Sequence, residues 1–174
     1  MFRKINLLPI YMGKGGGILP VTIHNNKLLF LFGLDLDGWS DFGGSREADE
    51  TTFQTAIREG CEELNGFLGC KTLKSYIKKH LIIELDNNTY VTYLFYIPYN
   101  EYIEQYFNNN SYFMRSMLPD KVHKDGLLEK EKIKWFSLTN IKRNKKTFRK
   151  WYHSILNLLN QNKKIIEENV KKYI

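Results

Sequence analysis

The stretch from Gly43 to Gly66, GGSREADETTFQTAIREGCEELNG, constrains the fold of this chain more than any other. It contains a glycine and five charged residues at a characteristic spacing, namely Gly44, Glu50, Arg58, Glu59, Glu62 and Glu63. The second half predicts a helix, because Thr51 with Gln54 three residues later forms a capping box. Glu50 adds negative charge at the positive end of that helix. The stretch therefore predicts a loop that leads into a capped helix.

Three carboxylates crowd one face of this predicted helix. Glu59, Glu62 and Glu63 stand at i, i+3 and i+4, and the apolar positions fall on the opposite face. These like charges repel one another, and Arg58 is the one cation nearby in the sequence. Hard divalent cations take oxygen ligands, usually together with substrate phosphates, so the pattern predicts a metal site. The alternative is a solvated acidic face, which leaves the glycines and Arg58 unexplained.

The same pattern resembles the Nudix box, G-x5-E-x7-R-E-U-x-E-E-x-G-U, in which U is aliphatic. The six positions named above match it in identity and spacing. Gly60, Asn65 and Gly66 depart from it, although Asn65-Gly66 can still end a helix in a left-handed turn. Just upstream, residues 39–44 (WSDFGG) resemble the family segment W-x-L-P-G-G, with Phe42 in place of the proline.

The resemblance implies hydrolysis of a diphosphate linked to another moiety, with Mg²⁺ as the metal and Mn²⁺ as its substitute. It implies that the metal ligands are the Gly44 carbonyl and the carboxylates of Glu59, Glu62 and Glu63. Arg58 would hold one of these glutamates by a charge-assisted hydrogen bond. One box glutamate, Glu59 among them, is a candidate to accept a proton from water. Bound Mg²⁺ would neutralise the diphosphate and activate the attacking water.

Many family members use a further acidic residue from a later loop as general base or extra ligand. Glu129 and Glu131, just before a predicted strand, are the candidates here, and we favour Glu131. The alternative, a solvated charge within a run of alternating Glu and Lys, stays open because such runs usually lie at the surface.

The remaining pattern predicts an α+β fold. Alternating or β-rich runs predict strands at 18–23, 27–32, 80–85, 89–97 and 132–138. Asn25-Asn26 predicts a hairpin turn, residues 71–77 look extended, and residues 99–128 look irregular apart from a short helix at 101–107. A final helix is expected from Thr147 onward. This order predicts one domain over residues 1–174, with a mixed sheet and helices on its faces. The resemblance implies the same α/β/α sandwich, and a substrate pocket shaped by residues 99–128.

Three smaller features carry predictions of their own. Gly13–Gly17 lacks the spacing of a phosphate loop and is interpreted as a flexible lead-in. Cys61 and Cys70 are too few for a disulfide framework, so we expect reduced thiols and a cytoplasmic protein. The apolar N-terminal residues 5–11 are interrupted by Pro9, so the sequence predicts neither a signal peptide nor a membrane association.

Charge is distributed unevenly along the chain, whose formal net charge is +7. Residues 1–70 carry six Lys/Arg against nine Asp/Glu, whereas residues 71–174 carry twenty against ten. An acidic metal site followed by a basic part suits a polyanionic substrate. The first hypothesis is a small nucleotide of the nucleoside-diphosphate type.

Capped RNA is the second hypothesis for the substrate. The basic helical segment at about 142–174 interleaves cations with Phe148, Trp151 and Tyr152, which could bind phosphates and stack on bases. Trp151 also fits an apolar helical stripe with Ile155 and Leu159, so a core position is the alternative. A composition rich in Lys, Asn, Ile and Tyr is typical of an A/T-rich genome, such as that of a large DNA virus.

A third hypothesis is a catalytically silent module that binds its ligand on the same fold. Such modules typically lose box glutamates, and this chain retains Glu59, Glu62 and Glu63. The silent module therefore ranks last.

Overall fold

A computed structural model describes residues 13–119 and 128–174. Its centre is a seven-stranded mixed sheet of order β3-β2-β1-β6-β5, in which β4 also pairs with β1, and β7 with β2. The strands are β1 Gly15–His24, β2 Lys27–Asp35, β3 Gly38–Ser40, β4 Phe42–Gly44, β5 Leu81–Asp86, β6 Tyr90–Tyr96 and β7 Lys132–Ser137. The pair of β1 and β6 is parallel and the others are antiparallel.

Helices cover both faces of the sheet. They are α1 Thr52–Glu63, α2 Cys70–His80, α3 Ile103–Met117, α4 Leu138–Arg143, α5 His153–Gln161 and α6 Lys163–Val170, with 3-10 turns at Lys145–Thr147, Lys150–Tyr152 and Lys171–Tyr173. Successive residues of a strand point to opposite faces, so Ile18 packs towards α1 and α2 while Leu19 packs towards α5 and α6. The α/β/α sandwich predicted from the sequence is confirmed.

Most of the predicted elements are present. The two N-terminal strands form a hairpin, and Asn25 and Asn26 adopt φ of 48° and 57° at its turn. Both residues are thus left-handed, which suits the twist of a two-residue hairpin. The strands predicted at 80–85, 89–97 and 132–138 correspond to β5, β6 and β7.

Two predictions about the segments after the box are wrong. Residues 71–77 belong to helix α2, which buries Leu73 and Ile77 four residues apart. The short helix predicted at 101–107 corresponds to the start of α3, but that helix continues to Met117 through residues predicted to be irregular, and it buries Ile103, Phe107 and Ser111 at the same spacing. The apolar contacts in both cases come from the sheet, so tertiary packing overrides a weak local pattern. The part of the prediction that concerns residues 120–127 lies outside the described residues, as does the prediction for residues 5–11.

The glycines of the predicted flexible lead-in are instead the start of β1. Gly15, Gly16 and Gly17 pair in register with β6, and two of them pair with β4 as well. A Cβ built on Gly16 would lie 2.1 Å from the carbonyl oxygen of Thr52, at the start of α1. These glycines therefore allow helix and strand to meet at backbone distance.

Cys61 and Cys70 form a disulfide, contrary to the expectation of reduced thiols. Their Cα atoms are 5.3 Å apart, because a tight turn joins the end of α1 to the start of α2. Asn65, Gly66 and Gly69 adopt positive φ in this turn, which brings the two cysteines together. Among the described residues, none of the helices is both long enough and apolar enough to span a membrane.

We predict that Gly16→Ala destabilises the protein by about 1–3 kcal/mol, the usual range for overpacking a close contact. The new methyl group would meet the Thr52 carbonyl, which belongs to the backbone and cannot rotate away. Gly13→Ala is the matched control, because its methyl group meets only the flexible guanidinium of exposed Arg46. Urea denaturation measures both, and an equal loss in the two variants would contradict the prediction.

Candidate active site

Helix α1 begins with the capping box that the sequence predicts. The Thr51 side chain accepts the N–H of Gln54 at 3.2 Å, and the Gln54 side chain accepts the N–H of Thr51 at 2.8 Å. Glu50, just before the cap, accepts the hydroxyl of Thr55 at 2.9 Å. These bonds fix where the helix starts and therefore where its charged side chains point.

Arg58 gathers the carboxylates around it. Its guanidinium donates twice to Glu50, at 2.9 and 3.1 Å, and once each to Glu59 at 2.8 Å and Glu62 at 3.3 Å. It also donates to the Ser45 carbonyl at 3.2 Å, which ties the loop before the helix to the helix. Hydrogen bonds from Arg58 lower the pKa of Glu50 to about 2. One guanidinium thus holds three carboxylates, and the group keeps a surplus of negative charge.

Glu59 lies directly against the Gly44 backbone. A Cβ built on Gly44 would fall 2.6 Å from Oε1 of Glu59, so only glycine leaves room for this carboxylate. Burial raises the pKa of Glu59, Arg58 opposes that rise, and the charges of Glu62 and Glu129 add to it. The structure therefore brings Gly44, Glu59 and Glu62 together and places Glu129 within electrostatic range.

Glu63 is separated from the other box carboxylates. It is buried, and its Oε2 accepts the N–H of Gly43 at 2.7 Å. Its Oε1 lies 3.2 Å from the ammonium of Lys130, which is also buried. Burial raises the pKa of Glu63 to about 8, while Lys130 and the Gly43 amide both favour its ionised form. No signal in the sequence indicated Lys130, because the surrounding run of Glu and Lys suggested a solvated surface.

Glu131, our favoured general base, points elsewhere in this structure. Its carboxylate is 3.9 Å from the guanidinium of Arg115 on α3, and its N–H donates to the Leu34 carbonyl at 2.7 Å. The neighbouring Glu129, by contrast, lies close enough to Glu59 to affect its pKa.

The oxygen donors around Gly44 suit a hard divalent cation. Within the two described ranges, no group of three or more His, Cys, Asp and Glu side chains is arranged to hold a metal ion. Glu59 and Glu62 are nevertheless joined through Arg58, and Glu59 abuts the Gly44 backbone. Mg²⁺ commonly takes one or two carboxylates and completes its shell with water and substrate phosphates. The donor set therefore fits Mg²⁺ or Mn²⁺ with substrate as a co-ligand.

A cavity of about 790 Å³ opens beside Gly43 and Gly44. The residues that line it come from four separate segments, namely Gly13, Gly15, Gly43, Gly44, Ser45, Arg46, Glu47, Ala48, Thr89, Tyr90, Arg149 and Trp151. Two cationic side chains and two aromatic rings thus face the glycine pair. Arg149 is already paired with Asp35 at 2.9 Å and with Asp37 at 3.4 Å. Arg46 is exposed and lies across Gly13.

Trp151 lies at this cavity and not in the core, which corrects the alternative of a helical core stripe. Its side chain is 44% exposed, and its ring centroid lies 4.9 Å from that of Tyr90. Phe148 and Tyr152 are buried in the core, so they cannot stack on bases as the RNA hypothesis supposed. Trp151 does not share the α-helical spacing of Ile155 and Leu159, because Lys150–Tyr152 is a 3-10 turn. Just before this turn, the backbone N–H of Arg149 donates to the Trp39 carbonyl at 3.1 Å.

Asp41 supports the cavity wall from inside the protein. It is fully buried and accepts hydroxyl hydrogen bonds from Tyr90 at 3.0 Å and from Thr92 at 2.8 Å. Burial raises the pKa of Asp41 to about 6, although both hydrogen bonds and Lys130 favour the carboxylate. The ring of Tyr90, whose hydroxyl donates to Asp41, also packs against the ring of Trp151. The charge on Asp41 therefore lies beneath the aromatic side of the cavity.

Comparison with solved structures supports a Nudix-like α/β/α fold. The Ap4A hydrolase of C. elegans aligns with a TM-score of 0.50 at 17% identity, over 90% of this chain and 98% of that one. The bifunctional NMN adenylyltransferase/ADP ribose pyrophosphatase of Francisella tularensis, solved with AMP and a Mn ion, aligns with a TM-score of 0.51 at 19% identity. That alignment covers 88% of this chain and 43% of the bifunctional protein. At sequence identities this low, the structural similarity supports the shared fold alone.

Sequence comparison finds a viral relative over a short segment. An uncharacterized protein of Acanthamoeba polyphaga mimivirus is 43% identical in an alignment of 58 residues that covers 29% of this chain and 19% of the viral protein. No protein-family model matches the chain. This chain thus spans less than half the length of the mimivirus protein and of the Francisella protein.

We predict that Asp41 makes the stability of the protein fall as the pH rises from about 4 to about 6. Its pKa is higher in the folded state than its ordinary 3.8, so its stabilising contribution is present below pH 4 and is lost through pH 6. Between pH 4.5 and 7.5 the contribution amounts to about 2 kcal/mol. In Asp41→Asn this part of the pH dependence should be absent. Urea denaturation of both proteins at the two pH values measures it, and parallel pH profiles would contradict it.

Proposed function

We propose that this protein hydrolyses a diphosphate linkage in a nucleotide-type substrate with the help of Mg²⁺ or Mn²⁺. The observation that carries the proposal is that Gly44, Glu59 and Glu62 lie beside a cavity lined by the exposed cation Arg46 and the half-exposed ring of Trp151. Diphosphates need charge neutralisation, and bases need a surface on which to stack. The fold, shared with an Ap4A hydrolase and an ADP ribose pyrophosphatase, supports this chemistry.

Glu59, Glu62 and the Gly44 carbonyl would hold the metal. When bound, the metal neutralises the diphosphate and lowers the pKa of the attacking water. Arg58 keeps Glu59 and Glu62 oriented, because it donates to both from one nitrogen. This arrangement supports the role that the resemblance gives to Arg58, namely positioning a glutamate without touching the substrate. Glu50 anchors Arg58 from the other side with two hydrogen bonds.

A further acidic residue would accept the proton from water. The proximity of Glu129 to Glu59 supports Glu129 in this role over Glu131, which is paired with Arg115. A general base has to come within hydrogen-bonding distance of the water, directly or through one other water molecule. Glu131 would first have to leave its partner on α3.

The cavity would hold the rest of the substrate. Arg46 would bind a phosphate, since its guanidinium matches phosphate geometry and it is exposed at the rim. Trp151 would stack on the base, with Tyr90 supporting it from the side. Both groups lie beside the glycine pair, so a diphosphate between them would reach the Glu59–Glu62 region.

We predict that Glu62→Gln lowers kcat at least about 100-fold, the usual scale for losing one electrostatic group of a catalytic site. The assay measures phosphate-product release with Mg²⁺ from a panel of nucleoside diphosphates linked to sugars, nucleotides or capped RNA. Glu168→Gln is the matched control, because Glu168 is exposed on α6, outside the proposed site. If the wild type released no product from any member of the panel, the silent binding module would replace the enzyme.

Capped RNA is the second candidate substrate, and the position of Trp151 favours it. The indole is exposed at the cavity, and the exposed cations Lys146 and Lys150 lie in the same segment. A cap base on Trp151 and phosphates of the RNA body on these lysines would use one continuous surface. Since each phosphate contact releases counterions, such binding weakens steeply with salt.

We predict that Trp151→Ala raises KM about tenfold or more, on the scale of one lost base–aromatic stack, with a smaller change in kcat. Leu36→Ala is the control, since Leu36 is 92% exposed and does not line the cavity. The measurement is run on free nucleotides and on cap-labelled RNA at two salt concentrations. A salt-sensitive KM for RNA supports decapping, whereas salt-insensitive turnover confined to small nucleotides supports the first candidate. An unchanged KM in Trp151→Ala for every substrate would contradict the stacking role.

A further inference from the structure

Lys130 is a fully buried lysine in contact with a box glutamate. Its side chain has no exposed surface, and its ammonium lies 2.8 Å from Asp35, 2.9 Å from the hydroxyl of Ser40 and 3.2 Å from Glu63. Three oxygen partners satisfy the three donors of an ammonium group. A buried charge of this kind is costly unless it is paired and hydrogen-bonded, and here both conditions are met.

The surrounding structure is shaped to admit this side chain. The stem of Lys130 passes over Gly33 in β2, where an added Cβ would lie 2.8 Å from its Cδ. The start of its segment is fastened by Asn65, which accepts the N–H of Leu128 at 3.2 Å, and the segment's end by the bond from Glu131 to the Leu34 carbonyl. Ser111 on α3 donates to the Lys130 carbonyl at 3.4 Å. Backbone and side chain of Lys130 are thus both held in place.

The ammonium lies where a cation bound to Glu63 would lie. Both oxygens of Glu63 are engaged, one by Lys130 and the other by the Gly43 N–H. A metal ion at Glu63 would have to displace the ammonium, which has Asp35 and Ser40 as further partners. Glu59 and Glu62, by contrast, have Arg58 as their shared partner, and the side chain of Glu62 is more than half exposed.

We propose that Lys130 is a built-in cation of this site, which replaces a metal at Glu63 and leaves metal binding to Glu59 and Glu62. The inference rests on the proposed metal-dependent function and deepens it. Through Glu63, which accepts the Gly43 N–H, Lys130 is also a positioning residue for the Gly43–Gly44 backbone, which would supply the proposed carbonyl ligand. Because an ammonium cannot be removed by a chelator, the glycine pair stays in place when the metal leaves.

Mn²⁺ binding tests this inference without any substrate. Free Mn²⁺ is titrated by electron paramagnetic resonance against the wild type, Glu62→Gln, Glu63→Gln, Lys130→Met and the double variant Glu63→Gln/Lys130→Met. We expect Glu62→Gln to weaken binding about tenfold or more, the scale of a lost contact at a metal site. Glu63→Gln should leave the affinity within about threefold, because in our inference Glu63 is not a ligand.

Lys130→Met should add one bound Mn²⁺ for each protein molecule, because it frees one oxygen of Glu63 and removes its counter-charge, while Asp35 keeps its pairing with Arg149. The double variant should lose this extra ion, which isolates the coupling between the two residues. Lys132→Met is the matched control, since Lys132 is exposed two residues away at the start of β7, and it should bind as the wild type does. A purely structural lysine would lower stability in Lys130→Met without adding a metal ion.

Two results would overturn the inference. One is a loss of Mn²⁺ affinity in Glu63→Gln as large as in Glu62→Gln, which would make Glu63 a ligand; this comparison retains Lys130 and stands even where Lys130→Met does not fold. The other is a folded Lys130→Met that binds no additional ion. Failure of the wild type itself to bind millimolar Mn²⁺ would overturn the proposed function, and this inference with it, and is distinguishable from both.

Discussion

The packing of helix α1 on the glycine-rich start of β1 determines the geometry of the candidate site. The helix begins within van der Waals reach of the strand backbone, because Gly16 has no side chain beneath the Thr52 carbonyl. On the neighbouring strand β4, Gly44 leaves room for the carboxylate of Glu59. A side chain at either position would push helix and sheet apart. The carboxylates of the helix and the carbonyls of the loop would then no longer converge on one place.

The carboxylates at helix α1 fall into two groups, which differ in the cation that pairs with them. Arg58 pairs with Glu50, Glu59 and Glu62, so this group keeps a net negative charge, and the side chain of Glu62 is more than half exposed. Lys130 pairs with Glu63 in the interior of the protein. Burial strengthens the electrostatic attraction within this pair and makes exchange with solvent ions unfavourable. In our proposal the outer group would bind a divalent cation, whereas the inner glutamate is already paired with the ammonium of Lys130. Residues that look equivalent along the helix therefore have different partners.

The cavity depends on contacts between segments that are far apart in the chain. The bond from the Arg149 N–H to the Trp39 carbonyl and the pairing of Arg149 with Asp35 hold the segment around Trp151 against β2 and β3. Tyr90, bonded to buried Asp41, supplies the surface against which Trp151 rests. The same network that buries Asp41 thus shapes the aromatic side of the proposed substrate pocket. Changes in that network should affect stability and substrate binding together.

Sequence alone determined the box helix, its capping box and five strands of the mixed sheet (β1, β2, β5, β6 and β7), because local hydrogen bonds and a period of two or 3.6 residues encode them directly. The three-residue strands β3 and β4 are too short to give such a signal. Tertiary structure decided the features that depend on contacts between distant parts of the chain. Helix α2 formed where the pattern suggested an extended segment, since Leu73 and Ile77 bury against the sheet. Lys130 was hidden in a run that looks solvated, and its burial depends on Gly33 and Asp35, about a hundred residues earlier. Partners so distant in sequence leave no periodic signal, so only the folded chain shows which glutamate already has its cation.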